Sequence, residues 1–167
     1  MSEATMRALS DSAAELIPQN WCTASIEEIA DPKDKFSFRG GPFGSDLKSD
    51  DYTTHGVRVL QLQDIGEGQF LNKSKIYTSI KKANEFIASN VYPGDILLAK
   101  MAPVARCCIV PSSENRYVMC SDGIRLAVNE SVFSKSYIFH ALNGPVFRKT
   151  AESKSTGSTR GRIGLSE

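Results

Sequence analysis

VYPGDILLAKMAPVARCCIVP, residues 91–111, contains two apolar runs in the middle of the chain. Pro93 and Gly94 predict a turn, and the four consecutive apolar residues that follow Asp95 are typical of a strand buried on both faces. A second strand is predicted for residues 105–111. Cys107 and Cys108 are neighbours in it, so they point to opposite faces and cannot easily form a disulfide with each other.

More strands are predicted on both sides of this stretch. β-branched and partly alternating apolar residues indicate strands at 56–65, 117–121 and 123–128. Asp122-Gly123 is a turn signal between the last two. In the last strand the side chains at alternate positions should share a buried face and leave Arg125 on the other face.

Helical signals lie before, between and after the predicted strands. Periodic apolar residues predict helices at 5–16, 81–90, 134–143 and 145–154. Ser134 is a predicted N-cap, and Gly144-Pro145 should end one helix and begin the next, in which Val146, Phe147 and Ala151 should face the core. Ser25 with Glu28 forms a predicted capping box, and Trp21 and Ile29 are expected in the core. These elements predict a single α+β domain with a central mixed or antiparallel β-sheet and short flanking helices.

Composition indicates an ordinary globular domain with a basic body. The 167 residues are 41% hydrophobic and 23% charged. Residues 1–31 contain six acidic residues and one arginine, so the remainder carries a net charge of +6 within a total of +1. This excess permits nucleic-acid binding and is equally compatible with a solvated surface.

Several functional classes find no support in the sequence. The four cysteines have no CxxC spacing, and with two histidines they form no metal-ligand set, so we expect reduced, mostly buried thiols. No phosphate-binding glycine motif is present. No apolar run approaches ~20 residues, and the N-terminus lacks a secretory signal, so a cytoplasmic protein without a membrane span is expected.

The C-terminal part combines basic and hydroxyl side chains. Residues 148–162 contain five basic residues against Glu152 alone, interleaved with serines and threonines. Such side chains make most contacts to DNA phosphates, and arginine also reaches guanine O6 and N7 in the major groove. A basic loop that is merely solvated is the alternative.

Five motifs, in this order, resemble a known family: LIPQNW (16–21), GPFGSDLKSDDY (41–52), GVRVLQLQDI (56–65), residues 91–111 and NGPVFRKTAESKSTGSTRGRIGLSE (143–167). Together they resemble a target recognition domain from the DNA specificity subunit of type I restriction-modification systems. The resemblance spans residues 16–167, after an N-terminal lead or short helix at 1–15. In relatives a proline-rich stretch and a helix follow the last motif, so the chain is expected to end before its spacer (coiled-coil) helix.

The resemblance implies a reader without catalytic activity, metal or cofactor of its own. Its expected partners are double-stranded DNA, of which it reads one half of a split site, and a methyltransferase (modification) subunit and, through it, the restriction subunit. Those partners would carry out adenine methylation and restriction.

Candidate DNA-binding residues are polar or cationic and lie in predicted loops or on exposed strand faces. The candidates for base reading are Ser45, Lys48, Lys100, Arg106, Arg160 and Arg162. The candidates for phosphate contact are Lys73, Lys75, Lys154, Ser155, Thr156, Ser158 and Thr159.

Two other functions remain open at this point. A protein-interaction or regulatory module of a restriction complex could use Phe38, Phe43 and Phe70 as exposed anchors. A small thiol enzyme could use Cys107 or Cys108, although their apolar strand favours inert packing.

Overall fold

The computed structural model describes residues 18–19, 21–44, 46–157 and 161–166. Within these ranges the strands are β1 (Phe38–Gly40), β2 (Tyr52–Thr53), β3 (Val57–Leu60), β4 (Tyr77–Thr78), β5 (Asn90–Val91), β6 (Ile96–Ala99), β7 (Cys107–Ile109), β8 (Tyr117–Met119) and β9 (Gly123–Leu126). The helices are α1 (Ile26–Ile29), α2 (Ile80–Glu85), α3 (Lys135–Asn143) and α4 (Pro145–Lys154). Short 3-10 turns lie at Ser49–Asp51, Leu62–Asp64 and Ile87–Ser89. The predicted helix at 5–16 lies outside the described residues.

The strands form two sheets. The first has the order β1-β9-β6-β7 and is antiparallel throughout. The second has the order β2-β4-β3-β8-β5, in which β3 and β8 are parallel and the other pairs antiparallel. The α+β class with mixed strand pairing and short helices is confirmed, and the strands divide between two sheets instead of forming one.

Strand β6 lies between two parts of the hydrophobic core. Ile96 and Leu98 pack with residues of α1, β9 and α3. Leu97 and Ala99 point the other way and pack with residues of β3, β5 and β8. All four are buried, which confirms the prediction of a strand covered on both faces.

Local capping signals in the sequence are reproduced. The Ser25 hydroxyl accepts from the backbone N–H of Glu28 at 3.3 Å, and the Glu28 carboxylate accepts from the Ser25 N–H at 2.7 Å, which completes the capping box of α1. Ser134 caps α3, and Pro145 begins α4 directly after Gly144. These caps satisfy backbone donors that a helix end leaves unpaired.

Two burial predictions are wrong. Trp21 is 60% exposed, because it precedes a helix of only four residues that covers little surface. Val146 is 80% exposed, since the core-facing side of α4 is formed by Phe147 and Ala151 instead. Arg125 lies on the opposite face of β9 from Ile124 and Leu126, and it is buried as well, because both faces of β9 are covered.

Arg125 is accommodated in the core by ion pairs and a π contact. Its Nε lies 2.6 Å from Asp95 Oδ2, and its Nη2 lies 2.7 Å from Asp34 Oδ2. The guanidinium also stacks over the Tyr92 ring, 5.1 Å from its centroid. Asp95 Oδ2 accepts a further bond from the Tyr92 N–H at 2.8 Å, and Gly94 has φ +88°. The Pro-Gly-Asp motif therefore forms a turn whose carboxylate neutralises a buried arginine.

We expect Asp95→Ala to lower the free energy of unfolding by about 3 kcal/mol, because it leaves Arg125 in the core with only Asp34 as an acidic partner. Urea unfolding followed by circular dichroism measures this loss. The exposed Asp50→Ala is the matched control and should change stability by less than about 0.5 kcal/mol. Equal effects of the two substitutions would show that the buried pair is not important for stability.

Candidate nucleic-acid interface

The loop that joins β6 to β7, residues 100–106, is closed by backbone hydrogen bonds. The Ala99 N–H donates to the Arg106 carbonyl at 2.9 Å, and the Ala105 N–H donates to the Ala99 carbonyl at 2.9 Å. Lys100 and Arg106 therefore stand at the two ends of a hydrogen-bonded loop, which we call the platform.

The segment that contains Arg162 runs alongside the platform. The Ala102 N–H donates to the Gly161 carbonyl at 3.0 Å, and the Ile163 N–H donates to the Lys100 carbonyl at 3.0 Å. The Ile163 side chain packs against the core. These contacts on both sides hold Arg162 next to Lys100, although 62 positions separate the two in the sequence.

The serine- and threonine-rich loop after α4 folds back at the same place. Thr156 and Arg162 exchange two backbone hydrogen bonds of 2.8 Å each, and Gly157 between them has φ +112°. Ser155 is the C-cap of α4, and its hydroxyl donates to the Glu152 carbonyl at 2.8 Å. Three further predicted contacts in this loop lie outside the described residues: Ser158, Thr159 and Arg160.

A cleft of about 660 Å³ borders the platform, and we call it the glycine-loop groove. Arg162 Nη2 lies 2.6 Å from Asp122 Oδ1 in this cleft, and the arginine side chain is still 56% exposed. The groove is lined by residues 39–44 together with, among others, Phe86, Ile87, Lys100, Asp122 and Arg162.

Close backbone approach explains Gly41 in this groove. A Cβ at Gly41 would overlap the carbonyl of Cys120, so a side chain there would push the loop off the sheet. A Cβ at Gly40 would lie 3.6 Å from Lys100 Nζ. Phe43 follows on the same loop and is 82% exposed.

A second cleft of about 430 Å³ borders the platform at Pro103 and Arg106. We call it the glutamine groove, because Gln63 and Gln69 line it. Arg106 Nη2 donates to the Leu62 carbonyl at 2.8 Å, which fixes the guanidinium in the wall. The other lining residues include exposed Lys73.

The remaining predicted residues lie away from the two grooves or outside the described chain. Lys48 and Lys75 are exposed and line neither groove. Lys154 is the exposed last residue of α4, next to Ser155. Ser45 is among the residues that the structure does not describe.

Sequence reasoning missed four lining residues: Arg39, Gln63, Gln69 and Asp122. The candidates were limited to lysine, arginine, serine and threonine, which left out the glutamines and Asp122, and Arg39 lies on β1, a strand that was not predicted. A usable signal was present, since glutamine amides in turns next to cations are also base-reading groups.

The described residues give little support to thiol catalysis or to a metal site. Burial raises the pKa of Cys107 and of Cys108 to about 12, so neither is a ready thiolate nucleophile. No group of three or more potential metal ligands occurs among the residues that were placed. In the same part of the chain no helix has the length and apolar character needed to cross a membrane.

Solved structures provide the comparison. The chain matches, over 98% of its length, a structure from work on the structural basis of complex assembly and conformational transition of the type I R-M system. The identity is 18% and the TM-score 0.57. It matches the HsdS subunit from Thermoanaerobacter tengcongensis at 15% identity and a TM-score of 0.56, over 96% of its length. This chain has the fold of part of a type I S subunit. The S subunit from M. genitalium agrees, at 14% identity and a TM-score of 0.53, over 90% of this chain.

The chain spans only 38%, 39% and 33% of the length of these three structures. No protein-family model and no curated protein matches the sequence. The S-subunit likeness therefore concerns the fold, and in this fold the platform and the two grooves bring Lys100, Arg106 and Arg162 to one end of the first sheet.

We expect the buried thiols to resist alkylation. At pH 8 a thiol with a pKa near 12 is ionised in only about one molecule in ten thousand, so iodoacetamide should label exposed Cys22 and leave Cys107 and Cys108 unlabelled in the native protein. Peptide mass spectrometry locates the label, and the urea-denatured chain, in which all four cysteines react, is the control. Rapid native labelling of Cys107 or Cys108 would revive the thiol-enzyme alternative.

Proposed function

We propose that this chain recognises double-stranded DNA as the target-reading domain, residues 16–167, of a type I specificity subunit. The observation that carries the proposal is the platform, which contains Lys100 and Arg106 and lies beside Arg162 from a distant part of the sequence. The three side chains line two clefts that border the platform. The S-subunit fold supports the same function.

A hydrogen-bonded platform suits base readout in the major groove. Each base pair presents a distinct set of donors and acceptors there, and side chains recognise it only if their positions are fixed. Arg106 is fixed by the Leu62 carbonyl, and Arg162 by its backbone bonds to Thr156. Ser45, Lys48, Lys100 and Arg160 complete the proposed set of base readers.

Phosphate contacts should surround these base readers. Lys73 lies on the glutamine groove, and Thr156 is exposed beside the backbone of Arg162. Half or more of protein–DNA hydrogen bonds go to phosphate and sugar, so they orient the domain without reading sequence. The proposed phosphate contacts are Lys73, Lys75, Lys154, Ser155, Thr156, Ser158 and Thr159.

The distribution of charge supports one orientation on DNA. Lys100 follows the end of β6, whereas Asp95 precedes its start. The cleft at the Asp95 end is lined by five further charged side chains, three acidic and two basic: Asp31, Asp34, Glu130, Arg125 and Lys135. The charged residues that line the two grooves are five basic and four acidic, against four acidic and two basic at the Asp95 end, so electrostatic steering favours approach of DNA to the grooves.

Partner subunits would carry out the chemistry. We propose that a methyltransferase subunit binds the full specificity subunit, methylates adenine at the site that this domain helps to select, and links it to the restriction subunit. This chain would contribute no catalytic residue and no cofactor of its own.

A protein-contact module is the second candidate, and exposed Phe43 is the observation that favours it. Phe43 shares the glycine-loop groove with Ile87, which is 55% exposed. Phe38 and Phe70 do not fit this function, because both are half-buried. Phe38 packs on the core, and Phe70 stacks on Arg58 at 5.3 Å.

DNA binding should be weak, salt-sensitive and dependent on the platform. We expect Lys100→Ala, and separately the double change Arg160→Ala with Arg162→Ala, to weaken binding to a labelled duplex. Lys73→Ala, which removes one proposed phosphate contact, should reduce the slope of log affinity against log salt concentration by about 0.9. Fluorescence anisotropy at several salt concentrations measures both effects.

Lys33→Ala is the matched control, since Lys33 is exposed near Asp31 at the acidic end. It should leave affinity and salt slope nearly unchanged. Equal effects of all variants, or binding that does not depend on salt, would contradict the proposal. Indifference of the domain to every duplex would favour the protein-contact module.

A further inference from the structure

We infer that Gln63 and Gln69 read adenine bases in the major groove, an inference that rests on the proposed DNA-binding function. The two side chains line the glutamine groove beside Arg106 and Lys73. Four observations support it: a fixed backbone at each glutamine, free amide groups, flanking cations and an acidic neighbour that is already paired.

Buried Asp64 holds the backbone around Gln63. Its Oδ2 accepts from the Gln61 N–H at 2.9 Å, and its Oδ1 accepts from the Ser74 N–H at 2.8 Å. Asp64 is 0% exposed and also pairs with Arg58 at 3.4 Å. Gln63 lies in the 3-10 turn that ends at Asp64. The contacts of Asp64 with Gln61, Ser74 and Arg58 therefore fix the backbone next to Gln63.

A tight turn anchored to the first sheet holds Gln69. The Gly66 N–H donates to the Gln69 carbonyl at 2.9 Å, and Ile65 forms a β-bridge with Phe70. Gly68 in the turn has φ +77°, a conformation that favours glycine, and its N–H donates to the Cys107 carbonyl at 3.0 Å. The turn is therefore fastened to β7.

The amide groups of both glutamines are exposed and have no hydrogen-bond partner within the described part of the chain. Gln61 shows the contrast, because its Nε2 lies within hydrogen-bond distance of the Tyr52 hydroxyl at 3.4 Å. An amide that is positioned by its backbone and free at its tip can bind a ligand without breaking a protein contact.

The charges around the glutamines favour DNA. Arg106 and Lys73 supply positive charge to the groove. Glu67 is the acidic residue on its rim, and its carboxylate lies 3.3 Å from Arg148 Nη2, an ion pair that offsets its repulsion of phosphates. The Arg106 Nε atom is buried and lacks a partner among the described residues.

Amide chemistry selects adenine. In the major groove adenine presents the N6 amino group as a donor and N7 as an acceptor, and a glutamine side chain matches both with its carbonyl oxygen and its NH₂. Guanine presents two acceptors there and matches arginine better. The groove therefore combines adenine readers with a cation that is suited to a neighbouring phosphate or guanine.

The experiment begins with selection by the full 167-residue chain, at low salt, from a pool of short random-sequence DNA duplexes. We expect enrichment of duplexes with adenine at one or more positions. Gln63→Ala or Gln69→Ala should reduce the preference for one of these adenines about tenfold and keep binding to unselected duplex within about twofold. Gln19→Ala, at an exposed glutamine that lines neither groove, is the control.

A duplex with 7-deazaadenine at the preferred position tests the contact directly, since this base lacks the N7 acceptor. The wild type should bind this duplex about tenfold more weakly than the adenine duplex. The variant that has lost the preference for that adenine should bind the two duplexes almost equally. Unchanged thermal unfolding of both variants would exclude a general loss of structure.

The outcomes separate the inference from the proposed function. If the wild type selects a sequence and both glutamine variants select the same one, the inference is wrong and the proposed function stands. Selection of guanine alone, or binding without any base preference, also overturns the inference. Failure to bind any duplex overturns both.

Discussion

The buried position of β6 between two parts of the core is the constraint on which the rest of the structure depends. Ile96 and Leu98 pack in one part of the core, and Leu97 and Ala99 pack in the other. A shift of the β6 register by one residue would move every one of these side chains to the opposite face of the strand. Its pairing with β7 and β9 fixes where the strand ends, and the platform begins there. The location of Lys100 is in this sense a consequence of hydrophobic packing.

The same strand separates the charges of the domain. At its start Asp95 is engaged by buried Arg125, and at its end Lys100 is free to face a groove. Buried ion pairs add little net stability but are costly to break, so the Arg125 network fixes the acidic end in place. The start of the strand therefore lies at a cleft with a net negative charge, and its end lies at two grooves whose lining residues carry a small positive excess.

Features that depend on residues close together in the sequence could be predicted, and features that depend on residues far apart could not. The capping box of Ser25 and Glu28, and the doubly buried β6, depend on neighbours within a few residues, and they were predicted correctly. Trp21 and Val146 were assigned to the wrong environment, because burial depends on which distant elements cover a turn or a helix. The grooves could not be predicted either, since residues 39–44 and Arg162 meet only in the folded chain.

Local patterns in the sequence were sufficient to predict the α+β class, the principal strands and caps, and the presence of many cationic and hydroxyl side chains near the C-terminus. These depend on local periodicity, turn chemistry and composition, which a linear chain already contains. The division of the strands between two sheets, the position of Arg162 beside Lys100, and the groove that Gln63 and Gln69 share with Arg106 became evident only in the folded chain. Those arrangements arise from contacts between residues far apart in sequence, and no local pattern specifies them.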